Sequence, residues 1–126
     1  MKHREVTEDI IGAGMSVLNA LRPGLDEKLY ENALVIELTQ RGHVVSQQTE
    51  FPVFYRDRFI GKLIPDLVID EKVIVDTKVV TAFNETHMAQ MLGYLNIARL
   101  RVALLLNFRH SRLQWQRVVR EKNTSA

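Results

Sequence analysis

Apolar residues recur at helical spacing between residues 5 and 21, where Ile10, Ile11, Met15, Leu18 and Leu21 fall near one side of a predicted helix. Arg22-Pro23-Gly24 breaks that pattern. A second helix is predicted from about Leu25 to Gln40, with Gly42 as its stop signal. Leu25, Leu29, Ala33, Leu34, Val35, Ile36 and Leu38 make it apolar over much of its circumference, so it is expected to be well buried. Residues 43 to 60 alternate only partially and hold β-branched and aromatic side chains. Pro52 there marks an edge or a bulge, and Gly61 breaks the region from the hairpin beyond it. That hairpin, IPDLVIDEKVIVDTKVV at residues 64 to 80, reads as two strands about a polar turn at Asp70-Glu71-Lys72. Glu85 to about Ala98 is a third helix anchored by Met88, Met91, Leu92 and Leu95. RVALLLNF then reads as a buried strand, and RLQWQRVV alternates like a half-exposed one. The order is helix, helix, three or four strands, helix, strand, strand, which predicts one mixed α/β sheet flanked by helices.

The 126 residues suit a single domain over 1–126, with 1–4 and 123–126 expected to fray. Hydrophobic residues at 46% and charged residues at 25% are ordinary for a soluble globular protein. No apolar run has the length of a membrane span, and MKHREVTEDI lacks the apolar core of a leader, so no membrane association is expected. The lack of cysteine excludes disulfides, thiolate metal sites and cysteine nucleophiles, and fits a cytoplasmic location. The four histidines, His3, His43, His87 and His110, have no metal-ligand spacing. A net charge of +2 is too small to signal nucleic-acid binding by itself. Arg109, Arg112, Arg117, Arg120 and Lys122 do gather toward the C-terminal end, opposed there only by Glu121. Such an end suits either a phosphate backbone or a solvated basic edge.

Charge inside the 64–80 hairpin changes the picture more. Asp66, Asp76 and Lys78 sit within its apolar strands, where an uncompensated charge is costly. With Glu71 at the centre of the turn, Asp66 falls opposite Asp76, their Cβ atoms roughly 5 Å apart. Lys78, two residues on, points the same way. Two carboxylates that close resist joint ionisation unless a cation intervenes. Mg²⁺, a hard ion that keeps waters and phosphate oxygens in its remaining positions, answers that need. Lys78 would then orient or help deprotonate a water, or steady charge on a scissile phosphate. The plainer alternative is an ion pair at a solvated strand end. Two helices add to the pattern. Glu27, Tyr30 and Leu34 share a line along the second helix, so Glu27 is a candidate third carboxylate or a solvated first-turn acid. His87, Gln90 and Tyr94 share a stripe on the third, where Gln90 and Tyr94 are candidates to hold a nucleotide or a water.

Pro65-Asp66 followed by Asp76-Thr77-Lys78 resembles the PD-(D/E)xK signature of restriction-endonuclease-like nucleases. More narrowly, Gly24-Leu25-Asp26-Glu27-Lys28-Leu29-Tyr30 resembles the motif of the GxxExxY proteins, a prokaryotic branch of that superfamily. The likeness runs from IIGAG at Ile10 to LLLNF at Phe108. It implies a restriction-endonuclease-like mixed β-sheet flanked by α-helices. It also implies Asp66 and Asp76 as metal-binding acids, the Thr77 carbonyl as an extra ligand, Lys78 as the catalytic lysine and Glu27 as the helix-borne acid. Gln90 and Tyr94 resemble a QxxxY helix motif that contributes to such active sites. Asp76 replaces the branch's usual Glu, Thr77 a more common apolar residue, Arg22 a Gly, Leu18 a frequent His, and Arg109 a Gly after NF.

The expectation is a nuclease using Mg²⁺ or Mn²⁺ on DNA, with RNA left open. Gln90, Tyr94, Arg109 and Arg112 would hold the strand. Two alternatives stand beside it: a catalytically inactive nucleic-acid-binding or assembly module of the same fold, and a nuclease active only within a homodimer or larger complex.

Overall fold

The computed structural model describes residues 3–121. In chain order its elements are α1 (Arg4–Leu21), α2 (Glu27–Gln40), β1 (Val45–Gln47), β2 (Phe51–Tyr55), β3 (Arg58–Leu63), β4 (Leu67–Ile69), β5 (Val73–Lys78), α3 (Glu85–Ala98), β6 (Val102–Asn107) and β7 (Gln114–Val119). Five strands form one mixed sheet in the order β1-β4-β5-β6-β7, and β2 with β3 forms a separate two-stranded ribbon. Only β5 and β6 run parallel. Parallel neighbours need a crossover, which α3 supplies.

Side-chain alternation distributes the core. Leu67, Ile69, Val73, Val75, Val102, Leu104 and Leu106 face α1 and α2 with Ile10, Leu18, Tyr30, Leu34 and Leu38. Val68, Ile74, Ala103, Leu105 and Val118 face α3 through Met91 and Leu95. Every residue of β6 is buried because both of its faces are covered. Each large apolar side chain there gains about 1.5–3 kcal/mol over an exposed position. The layering is therefore two helices, a mixed sheet and one helix, as the resemblance implies.

Local chemistry sets the ends of the elements. Gly42, at φ 92, closes α2 as the left-handed residue of a Schellman motif: its N–H donates to the Thr39 carbonyl and that of His43 to the Leu38 carbonyl. Asn84 caps α3 through its side chain, which accepts from the His87 N–H, while the His87 ring accepts from the Asn84 N–H. The turn between β4 and β5 places Asp70 and Glu71 in left-handed conformations and leaves Leu67, Val68 and Ile69 opposite Val75, Ile74 and Val73. That register is centred on Glu71, as the strand pattern requires.

Some expectations need correction. α2 is not buried all round: Tyr30, Glu31, Leu34 and Leu38 face inward, while Leu29 and Ile36 are 49% and 60% exposed. It packs on α1 and the sheet along a single stripe, so its other apolar residues meet solvent. Five strands, not three or four, separate α2 from α3, and they belong to two sheets. Gly61 does not end the region before the hairpin but lies inside β3 at φ 151, beside the irregularity that leaves Ile60 unpaired between Phe59 and Gly61. Arg4, expected to fray, opens α1 and pairs with Glu8 at 2.9 Å. The rest of the expected frayed ends, residues 1–2 and 123–126, lies outside the described residues apart from His3, which caps α1.

His43 ties α1 to the β4–β5 turn. Its Nε2 lies 2.5 Å from Asp9 and its Nδ1 2.6 Å from Asp70, whose other oxygen accepts the Val44 N–H. The Asp70 and Asp9 carboxylates raise the imidazole above its ordinary 6.5 against the opposing effect of burial. A raised histidine stabilises the fold fully below its unfolded value and loses that contribution as pH climbs through the folded one. Urea unfolding of His43→Gln should therefore show a smaller loss of stability between pH 6 and pH 8.5 than wild type shows. Parallel losses in the two proteins would contradict this.

Candidate active site

The charged residues of the hairpin meet where β5 ends. Pro65, with no N–H to offer a ladder, closes the segment after β3, and Asp66 comes just before β4. Asp66 and Val68, Ile74 and Asp76, and then Lys78 alternate with the residues facing α1 and α2, so they share the α3 side of the sheet. The Asp66 N–H donates to Asp76 Oδ1 at 2.9 Å. Asp66 Oδ2 accepts from the Thr77 N–H at 2.9 Å and from its hydroxyl at 3.0 Å. Lys78 Nζ stands 3.6 Å from Asp76 Oδ2 and donates to Gln90 Oε1 at 3.4 Å. Gln90 in turn donates through Nε2 to the Tyr94 hydroxyl at 3.0 Å. Asp66, Asp76, Thr77, Lys78, Gln90 and Tyr94 thus form one connected group.

Glu27 approaches the group from the opposite layer but is exposed, as the solvated first-turn alternative expected. It begins α2, and its Oε1 accepts the Val79 N–H at 3.2 Å just past the end of β5. Tyr30 anchors that end of the helix: its ring stacks on Phe108 with centroids 4.8 Å apart, and its hydroxyl donates to the Arg22 carbonyl.

Burial dominates the electrostatics. Asp76, only 4% exposed, is pushed up to about 7, first by burial and then by the charge of Asp66; the Asp66 N–H and Lys78 pull the other way. Asp66, partly buried, is raised as well, chiefly by burial; Glu27 is raised by partial desolvation of its carboxyl although the residue is exposed. The Tyr94 hydroxyl is raised to about 12 by burial and by the fields of Asp76 and Asp66, so it keeps its proton at neutral pH. One ammonium does not compensate this much negative charge.

Arg109 and Arg112 come after β6, on the side of the sheet where β5 and β6 end. Arg109 is exposed, and Arg112 lines a cleft of about 390 Å³ with Met15, Leu18, Asn19, Ser111 and Leu113. The expected basic C-terminal end does not hold together. β7 runs antiparallel to β6 and carries Arg120 back to Arg101, at the far end of the sheet, where Arg120 Nε donates to the Leu100 carbonyl. Lys122 lies outside the described residues.

Sequence reasoning missed Glu31, Gln47 and Gln48. Glu31 is 3% exposed, and its Oε2 accepts from Lys28 Nζ at 3.0 Å, Gln47 Nε2 at 2.8 Å and Gln48 Nε2 at 2.9 Å. Gln48, left-handed at φ 57, donates its own N–H to the Asp66 carbonyl. A buried carboxylate on α2 therefore brackets the chain that carries Asp66. The available signal was i, i+4 spacing from Glu27, together with two adjacent amides at the end of a short strand.

The donor chemistry suits a hard divalent ion. Asp66 and Asp76 supply carboxylate oxygens, and Mg²⁺ takes one or two such groups while keeping waters. Glu27 stops short of them, drawn to the Val79 N–H. Among the described residues, no group of three or more His, Cys, Asp or Glu side chains is arranged to hold a metal ion. Two converging carboxylates with excess buried charge fit such an ion; a closed three-acid cage is not assembled.

A family model, that of the PD-(D/E)XK nuclease superfamily, matches residues 4–118. No curated protein and no solved structure matches the chain. Members of the superfamily are generally nucleases and typically use divalent metals. No helix among the described residues is long and apolar enough to cross a membrane. With Asp66, Asp76 and Lys78 gathered at the end of β5, and the match spanning all ten elements but the last residue of β7, this chain belongs to the PD-(D/E)XK nuclease superfamily.

Proposed function

We propose that this protein is a Mg²⁺- or Mn²⁺-dependent phosphodiesterase of the GxxExxY branch, acting on DNA in the cytoplasm. One observation carries the reading: Asp76, buried and raised to about 7, lies against Asp66, and among the described residues Lys78 alone is ion-paired with either of them. Asp66 and Asp76 would hold the ion, with the Thr77 carbonyl as a further ligand. The chemistry such an ion supplies is polarisation of the scissile phosphate and a bound water of lowered pKa.

The remaining work falls to side chains already in place. Lys78, fixed between Asp76 and Gln90, presents its ammonium to the attacking water and to charge developing on the phosphate. Tyr94 keeps its hydroxyl proton and offers it as a donor beside the carboxylates. Glu27 stands ready at the rim to complete the acid set if its bond to the Val79 N–H opens. Gln90, Tyr94, Arg109 and Arg112 orient the strand.

A second reading, a nucleic-acid-binding or assembly module without catalysis, draws support from the position of Glu27 beside Val79 rather than among the aspartates. Titrating Mn²⁺ and following the melting temperature separates the two. The catalytic reading expects a rise that Asp76→Ala abolishes. Single-stranded, duplex and branched DNA and RNA, offered with Mg²⁺ or Mn²⁺, then test cleavage. Lys78→Ala should cut about a hundredfold more slowly with metal binding kept. Unaltered cleavage by Lys78→Ala would remove it from the mechanism.

A further inference from the structure

The β2–β3 ribbon is the feature the site does not use. It is not hydrogen-bonded to the main sheet, and at its base Phe51 packs against the α3 side of the core. Beyond that base, Phe54, Tyr55, Phe59 and Ile60 are 59–64% exposed. Phe54 and Phe59 pair across the strands edge to face, with centroids 5.9 Å apart. Phe54 and Phe59 share one face of the ribbon, Tyr55 alternates to the other with Arg58, and large apolar side chains held in the open on such an arm call for an occupant.

The tip, Arg56-Asp57-Arg58, carries one net positive charge. Arg56 and Asp57 both take left-handed conformations, at φ 48 and 61, in the turn that joins the strands. Such turns favour Asn-Gly, and a longer side chain there costs on the order of 1 kcal/mol. The β4–β5 turn uses the same strained geometry, but Asp70 there is tied to His43 and the Val44 N–H. At the ribbon tip no such tie exists: the Arg56 guanidinium lies 5.4 Å over the Tyr55 ring, and among the described residues neither Arg56 nor Arg58 has a carboxylate partner. Lys62 is already paired with Glu50.

Position completes the picture. β3 ends at Leu63, three residues before Asp66, so the ribbon springs from the chain that carries the acids. From Leu63 to Arg58 the strand spans roughly 17 Å. That is the axial rise of about five nucleotides of one strand.

We propose that the ribbon is a nucleic-acid arm, taking the phosphates of a single-stranded stretch on Arg56 and Arg58 at its tip and its bases on the Phe54–Phe59 face. Aromatic faces bind unpaired bases without sequence preference, and arginines follow the backbone. The arm depends on the nuclease reading only for the class of its ligand.

The test is binding of labelled single-stranded and duplex DNA oligonucleotides by the full chain in EDTA, over a range of salt. Arg56→Asn with Arg58→Gln should weaken single-strand binding about tenfold and lower the salt slope by about 1.4. Arg4→Gln with Lys72→Gln removes the same charge from the far end of the sheet and should do much less. Phe54→Ser with Phe59→Ser should weaken single-strand binding about tenfold and duplex binding less. Light scattering should give the same molecular size for all. Wild type that binds no DNA, ribbon variants that match the control pair, or a change in molecular size, which would make the occupant a second copy, each overturn the proposal. Binding lost in the ribbon variants upholds it even where wild type with Mg²⁺ or Mn²⁺ cleaves nothing, an outcome that would sink the nuclease reading alone.

Discussion

Asp76→Asn is expected to abolish metal-dependent cleavage and, in the same protein, to make the metal-free fold harder to unfold. The first effect comes from losing a carboxylate that would hold the ion, and a loss of a thousandfold or more is expected. The second comes from the cost of the charge. Asp76 is raised from 3.8 to about 7, so between those values the folded protein binds a proton that the unfolded chain has released. Stability should then fall as pH rises through that window, by on the order of 4 kcal/mol in total. Asparagine keeps the Oδ1 acceptor that the Asp66 N–H uses and carries no charge. At pH 8 in EDTA the variant should melt roughly 5–10 °C above wild type, and its stability should vary less between pH 5 and pH 8. A variant that melts below wild type there would show that the pair is a stabilising salt bridge with Lys78 and not a held-back metal site.

Asn107→Ala should have the largest effect on stability. Asn107 is fully buried at the end of β6 and spends its whole amide on neighbouring chain. Oδ1 accepts the Val80 and Arg109 N–H groups at 3.1 and 3.2 Å, and Nδ2 donates to the Val80 carbonyl at 2.8 Å and to Gln114 Oε1 at 3.1 Å. Alanine leaves the Val80 groups without these partners, at a cost of about 2–4 kcal/mol. The melting temperature should drop by on the order of 10 °C. Because Val79, next to Val80, holds Glu27, cleavage by the folded variant should fall as well. A melting temperature within about 2 °C of wild type would mean that water replaces the amide without loss.

How much of this was legible beforehand depended on the kind of information. The centre of the β4–β5 turn could be placed because apolar positions on both strands alternate about Glu71, and a slip of one residue would bury the wrong face. That same constraint put Asp66 beside Asp76. The line of Glu27 with Tyr30 and Leu34 set the direction of that side chain, since a helix carries direction along its whole length, but left open whether it is a third acid or a solvated one. The structure leaves it exposed beside the Val79 N–H. Glu31 was not found. An acid beside a buried tyrosine reads as solvated until the chain at Gln47 and Gln48 folds over it, and that approach comes from residues sixteen and seventeen positions away. The ribbon was misjudged for a related reason: residues 43 to 60 have strand chemistry, but nothing in their alternation says which sheet they join.

The arginines show the same division. Their clustering near the C-terminus was plain, but the antiparallel course of β7 separates Arg109 and Arg112 from Arg120 by the length of the sheet. The amino-acid sequence by itself determined the helices, the strand register about Glu71 and the identity of the acids and lysine near the candidate site, because periodicity is local and each residue's neighbours enforce it. Only the tertiary structure decided that Asp76 is buried enough to resist ionising, that Glu31 braces Asp66, and that the ribbon's aromatic residues face solvent. Those are properties of distance and dielectric between segments remote in the chain, which no local pattern records.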